Sequence, residues 1–295
     1  MSSGNLTADR RFAYAQMLRE SGDMTGAADL ITQALELAPR WAEGRFALAE
    51  TLALAEQKDA AAAEYRAYLA LDPADSMGAA IRLALLETAT PPAALPAAYV
   101  RRLFDEYAPR FDTALVDGLA YRAPQALRDA LGTARMYDAA LDMGCGTGLA
   151  GAAFRSMTTW LEGVDLSSRM VAEAARKDIY DHLAVADMIA HLRTATRSFD
   201  LVVAADVLVY MGALTSLFEA VHAHMTASGT FAFTVQRHDD DGDFVLGTEH
   251  RYRHSRNYIG AQAAAAGFTV RQLEDGVFRQ EAGKDVPGVL VVLRA

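Results

Sequence analysis

The chain has 295 residues, 52% of them hydrophobic, which suffices for one large or two ordinary domains with a substantial core. Its net charge of −10 lacks the basic footprint of a nucleic-acid-binding protein, so no nucleic-acid partner is expected. The single cysteine, Cys145, rules out an internal disulfide and argues against a cysteine-based zinc site. The opening stretch "MSSGNLTADRRFAYAQ" has no apolar segment of the secretory kind. No apolar run reaches the ~18 residues of a membrane span. A cytoplasmic protein without a membrane partner is the expectation.

Residues 9 to 87 read as helices, broken at "ESGD" (20–23) and "LAPRWAEG". An internal repeat runs through them. Arg11, Phe12, Ala15 and Leu18 recur as Arg45, Phe46, Ala49 and Leu52, and Ala27, Leu37 and Pro39 recur as Ala61, Leu71 and Pro73. Every pair is 34 residues apart. These residues resemble the tetratricopeptide repeat, a helical hairpin of that period, and imply an N-terminal all-α domain over 1–88. Two departures stand out: Tyr68 replaces a small residue where Ala34 stands one period earlier, and the first-helix Trp of the family is absent. A further helical stretch, "DSMGAAIRLALLE" (75–87), would cap the open end of the array.

"TATPPAALP" follows, and its prolines interrupt helix and favour an extended connector, placing a linker at 89–96. Val100, Leu103, Phe104, Tyr107 and Phe111 then fall at helical spacing in a segment over 97–135. From 136 to 295 short apolar runs alternate with helices. The candidate strands are "AALDMG", "LEGVDLS", "LAVADM", "FDLVVAAD", "TFAFTVQ", "FTVRQLED" and "GVLVVLRA". Such alternation predicts an α/β fold with a parallel, doubly wound sheet, and the last two runs suit an antiparallel edge hairpin.

"ALDMGCGTGLAG" (140–151) lies after the first predicted strand and before a helix, where α/β sheets bind ligands. It is not a phosphate loop of the Walker kind, because no Lys-Ser or Lys-Thr follows, and Leu149 stands where a dinucleotide fingerprint needs its third glycine. Asp142 places a carboxylate where a pyrophosphate would be repelled and an amine welcomed. Asp165 ends the next strand, twenty-three residues later. A carboxylate there accepts hydrogen bonds from a ribose diol.

Amine plus ribose diol points to S-adenosyl-L-methionine, and "DMGCGTG…GVDLS" resembles the class I S-adenosylmethionine-dependent methyltransferases over residues ~97 to 295. The resemblance implies a Rossmann-like, seven-stranded methyltransferase sheet over 136–295, with 97–135 as a helical lid. It implies a cofactor site of Asp142, Gly144, Cys145, Gly146 and Gly148 in the loop and Asp165 and Leu166 at the ribose. Asp187 and Met188 would meet the adenine. Asp206 and Val207 would face the methionine moiety, and Tyr210 would reach the methyl group. From the lid, Tyr107 and Phe111 would close over the cofactor and Arg122 would pair with its carboxylate. The layout as a whole resembles a group of bacterial repeat-containing methyltransferases.

Outside the cofactor loop, His254 in "RYRHSRNYI" (251–259) is a candidate general base, in the region expected to face the acceptor. The acidic stretch "RHDDDGD" (237–243) fails the EF-hand pattern and reads as a solvated loop, so no metal is expected. The reading is methyl transfer to oxygen or nitrogen of a small molecule. A protein acceptor gripped by the repeats, a scaffold that binds cofactor without turnover, and a homodimer through the repeat helices stay open.

Overall fold

The computed structural model describes residues 2–113, 115, 118–132, 134–240 and 242–295. The chain divides into two compact units, 1–99 and 100–295, with the division inside a helix over Ala97–Tyr107 (α6).

In the first unit five helices follow one another: α1 (Leu6–Ser21), α2 (Met24–Leu37), α3 (Ala42–Leu54), α4 (Lys58–Leu71) and α5 (Ala79–Glu87). Local chemistry sets their ends. Asn5 caps α1 by accepting from the amides of Thr7 and Ala8, Gly22 ends it at φ +89°, and Asp23 caps α2 through the Gly26 amide. Ala15, Ala27, Ala49 and Ala61 are fully buried, and their small size lets neighbouring helices approach closely. Tyr68 is also buried, but its hydroxyl donates to Asp72 Oδ2 at 2.6 Å and accepts from the Met77 amide at 3.0 Å. The larger residue therefore anchors the turn between α4 and α5. Trp41 meets Phe12 edge-on at 4.8 Å between ring centres.

The second unit is built on one sheet: β1 (Tyr137–Met143), β2 (Thr158–Asp165), β3 (His182–Val185), β4 (Phe199–Ala204), β5 (Met225–Arg237), β6 (Phe244–Leu246), β7 (Tyr252–His254), β8 (Thr269–Glu281) and β9 (Lys284–Arg294). Besides α6 it holds α7 (Phe111–Thr113), α8 (Ala123–Leu131), α9 (Leu149–Phe154), α10 (Ser168–Ala175), α11 (Met188–Thr194), α12 (Thr215–Ala223) and α13 (Arg256–Ala265). Strands β3-β2-β1-β4-β5 are parallel, and β9 and β8 continue from β5 as an antiparallel edge. These are the seven strands expected from the sequence. The described sheet has nine, because β6 and β7 add a short hairpin. Three residues per strand are too few to leave an alternation signal.

The position of this hairpin matters. Gln236 of β5 pairs with Gly288 of β9 on one flank and with Arg253 of β7 on the other. β7 therefore takes up the flank that β4 occupies lower down, past the end of the β4 pairing at Phe233. It extends the sheet at the mouth formed by the C-terminal ends of the parallel strands.

The core lies on both faces of the sheet. One face holds Phe218, Phe231, Phe233 and Phe268 among others; the opposite face packs Leu127, Phe154, Leu161, Leu201 and Val203. Among the described residues no helix is long and apolar enough to cross a membrane.

Phe218 touches three other phenylalanine rings at centroid distances of 5.5 to 6.3 Å. Phe218→Ala is expected to lower stability by about 3–5 kcal/mol, read as a fall in the urea midpoint with an unchanged slope.

Candidate functional site

The turn after β1 is shaped by what it passes. Gly144, Gly146 and Gly148 have φ values of +65°, +52° and +92°. A Cβ on Gly144 would stand 2.3 Å from Val207 Cγ2, so the backbone runs where no side chain fits. The Cys145 amide donates to the Val164 carbonyl at 3.0 Å, which ties the turn to β2. Asp165 closes the arrangement: its Oδ2 accepts from the Gly146 amide at 3.0 Å and its Oδ1 from the Ser167 amide at 2.8 Å. Burial pushes its carboxyl up, against those two amides, which hold it down. Each oxygen keeps a further lone pair for a hydroxyl donor.

A cavity of about 230 Å³ opens beside this turn. Gly144, Gly146, Asp165, Ala205, Asp206, Val207 and Tyr210 line it. The roof comes from the segment before the sheet: Leu103, Phe104, Tyr107, Phe111, Leu115 and Leu119. Its aromatic rings interlock edge-on, Tyr107 with Phe111 at 5.6 Å and Phe104 with Tyr210 at 5.3 Å. Polar contacts pin the roof to the loop. Ser167 Oγ donates to Asp105 at 2.6 Å, Thr147 donates to Asp112, and Lys177 pairs with Asp112 at 2.8 Å.

At the β4 tip Asp206 holds φ +55°, and its amide donates to Thr234 Oγ1 at 3.0 Å. Burial raises its carboxyl, while Arg279 and Arg251 lower it. Tyr121 donates to the Ala205 carbonyl at 3.2 Å. Tyr210 meets the Arg251 guanidinium, and burial pushes its phenol up.

Gly144, Gly146, Asp165, Asp206, Val207, Tyr210, Tyr107 and Phe111 are thus brought together on one wall system. Other expected site residues lie off it. Gly148 starts α9, and Cys145 is buried behind the turn, facing Gly163. Leu166 follows Asp165 outside the wall. Asp187 is exposed and caps α11 through the Ile189 and Ala190 amides, while Met188 packs against the core. The acidic stretch after β5 includes Asp241, outside the described residues. Among the described residues no cluster suited to a metal is found.

Three further expected residues are not among those lining the cavity. Asp142 is 1% exposed: Tyr180 donates to its Oδ2 at 2.6 Å, and its Oδ1 makes no hydrogen bond among the described residues. Its carboxylate therefore anchors the loop from behind. Burial pushes it up to about 7, against the Tyr180 hydrogen bond. Arg122 is exposed and turned away, with its Nε donating to the Val277 carbonyl at 2.7 Å. It joins the segment before β1 to β8. His254 is fully buried, with Nε2 at 3.1 Å from the Gly212 carbonyl and its ring stacked on Tyr258. Burial lowers it to about 4, so it stays neutral near pH 7, and it is not among the residues lining the cavity. It fills the core under β7.

The two cations on the wall, Arg251 and Arg279, were not singled out from the sequence. Arg251 stands three positions from His254, inside the stretch that drew notice. Nothing in the local pattern of β8 marks Arg279, whose inward aim follows from a register shift between Val277 and Gln280.

Comparison with known proteins agrees with this geometry. Residues 141–231 match a family described as "Methyltransferase domain". A malonyl-[acyl-carrier protein] O-methyltransferase from Enterobacter lignolyticus (strain SCF1) is 31% identical over 102 residues, 35% of this chain. The chain spans 40% of the length of that curated relative. Among solved structures, the methyltransferase bound to the Haloferax volcanii Trm112 activator superposes with TM-score 0.53 at 20% identity, covering 65% of this chain and 97% of its own. The DhpI–SAH complex superposes with TM-score 0.50 at 17% identity, covering 65% and 93%. The second unit thus has the Rossmann-like fold of these methyltransferases, and its stretch 141–231 carries the match to a methyltransferase domain. The bare backbone at Gly144 and the spare lone pairs of Asp165 fit S-adenosylmethionine, the cofactor expected from the sequence.

Gly144→Ala forces a Cβ against Val207 at positive φ. S-adenosylhomocysteine affinity is expected to fall about tenfold or more, with Val207→Ala in the same chain recovering only part, since the φ strain stays. Asp142 gives a pH signature. Its folded value near 7 exceeds the ordinary 3.8, so its contribution is full below about pH 4 and is lost as pH rises to about 7. Asp142→Asn is expected to lose less thermal stability than wild type between pH 5 and pH 8; equal losses would refute this.

Proposed function

We propose that the chain is an enzyme that transfers a methyl group from S-adenosylmethionine to an oxygen or nitrogen atom of a small molecule. The lidded cavity carries this reading. It is small, roofed by apolar and aromatic side chains, and continuous with the glycine turn. Such a space excludes water and fits a compact acceptor better than a protein surface.

When bound, the cofactor supplies an electrophilic methyl group on a good leaving group. The chain's own residues bind and align. Asp165 accepts from the ribose hydroxyls, and Asp206 with the Ala205 carbonyl accepts from the ammonium. Tyr107 and Phe111 cover the bound molecule. Tyr210 is held protonated by burial, so it donates a hydrogen bond to the acceptor and does not take its proton. His254 is out of reach. No histidine stands among the described wall residues, so an acceptor atom that offers its lone pair without first losing a proton suits the site.

The first unit reads as a short tetratricopeptide-like array, on the 34-residue recurrence and the helical order. It holds a groove of about 300 Å³ lined in part by Ala28, Leu48, Leu52, Asp29 and Glu64. That groove favours one alternative, a protein acceptor gripped by the helices. Homodimerisation through the same helices is a further arrangement for this unit.

Calorimetric titration with S-adenosylhomocysteine tests the cofactor site. Wild type is expected to bind in the micromolar range, and Asp165→Ala to bind about 10- to 100-fold more weakly, as loss of charge-assisted hydrogen bonds implies. Absence of wild-type binding would end the reading. With tritiated cofactor and a cell extract, label in the small-molecule filtrate supports the first reading, and label on protein supports the alternative.

A further inference from the structure

Two cations on the cavity wall have no task in the account above. Arg251 stands just before β7, and Arg279 lies in the irregular stretch of β8. Both line the cavity, Arg279 beside Asp206 and Arg251 beside Tyr210. Arg279 is 5% exposed, yet its Nε makes no hydrogen bond. Its nearest carboxylates are Asp206 Oδ2 at 3.6 Å and Glu281 Oε2 at 3.4 Å. Arg251 shares Glu281 at 3.3 Å and meets the Tyr210 hydroxyl. A buried guanidinium with an unused donor on a cavity has room for one more acceptor.

The charges point the same way. Arg251 and Arg279 face Asp206 and Glu281, and the four cancel. S-adenosylmethionine, with a sulfonium, an ammonium and a carboxylate, brings one net positive charge at neutral pH. If Asp206 accepts from that ammonium, Arg279 must share its nearest partner on the wall. A monoanion on the acceptor balances the filled site. A planar carboxylate also matches the guanidinium fork, whereas a dianionic phosphate would meet Asp206 and Glu281 at close range.

We propose, resting on the methyltransferase reading above, that Arg251 and Arg279 form the recognition site for a carboxylate on the methyl acceptor. They set specificity. Arg279, buried and fixed by its neighbours, supplies the rigid half of the clamp. Arg251, on the hairpin at the mouth, supplies the half that meets the acceptor on entry.

The test uses the full chain saturated with S-adenosylhomocysteine, titrated with butyrate, butyramide and butyl phosphate and followed by NMR. Butyrate is expected to bind about tenfold more tightly than either of the others. Arg279→Gln and Arg251→Gln are each expected to weaken butyrate about tenfold while shifting S-adenosylhomocysteine affinity less than about threefold. Arg279→Lys keeps the charge and is expected to recover part of the loss, which separates recognition from misfolding. Equal binding of butyrate and butyramide overturns the proposal, and so does a preference for butyl phosphate. A fall in S-adenosylhomocysteine affinity in the glutamine variants, with butyrate unaffected, also overturns it and assigns the arginines to the cofactor's own carboxylate. Failure of the wild type to bind S-adenosylhomocysteine is a separate result that removes the underlying reading, and this proposal with it.

Discussion

The close passage of the Gly144 backbone beside Val207 governs the geometry of the site. The turn after β1 must leave the sheet, drop past the tip of β4 and rise into α9 within a few residues. A left-handed glycine permits that path and keeps the passage open. Because the turn hugs Val207, the Gly146 amide falls within reach of Asp165 on the next strand. The carboxylate at the end of β2 is thereby fixed by two backbone donors before any ligand arrives. Preorganisation of this kind reduces the ordering cost of binding.

Behind the turn, a second network holds the loop from the side away from the cavity. Tyr180 reaches Asp142 through space left by Gly151 and Gly163; a Cβ on Gly151 would stand 2.2 Å from the Tyr180 hydroxyl. The glycines here serve an aromatic strut as much as a ligand. In front, the roof is held at Asp105 and Asp112, so its rings close over the loop through a few polar contacts. An apolar cover attached at discrete points can open without disturbing the sheet beneath it.

Charge is concentrated in one cluster. Asp206, Tyr210, Arg251, Arg279 and Glu281 come from three separate segments and compensate one another, with Glu281 on the exposed side. The β6–β7 hairpin delivers Arg251 there, and the β8 irregularity delivers Arg279. This charged set distinguishes the cavity from a purely apolar one.

The cofactor-loop elements were legible in the sequence because they are local. Positive-φ glycines, an acid at a strand end and an aromatic helical stripe follow from neighbouring residues, and Gly144, Gly146, Asp165, Asp206, Tyr107 and Phe111 all line the cavity. Which way a polar side chain turns after long-range packing was not legible. Asp142 has the right spacing, but Tyr180, thirty-eight residues away, claims it. Arg122 sits in the right segment, but the β8 backbone draws it outward. His254 carries the right chemistry, but the hairpin folds it into an aromatic core, where burial keeps it neutral. Sequence periodicity encodes which elements form and in what order. The assignment of a polar side chain to cavity or core rests on partners distant in the chain, and for Arg251 and Arg279 only the assembled sheet brings those partners together.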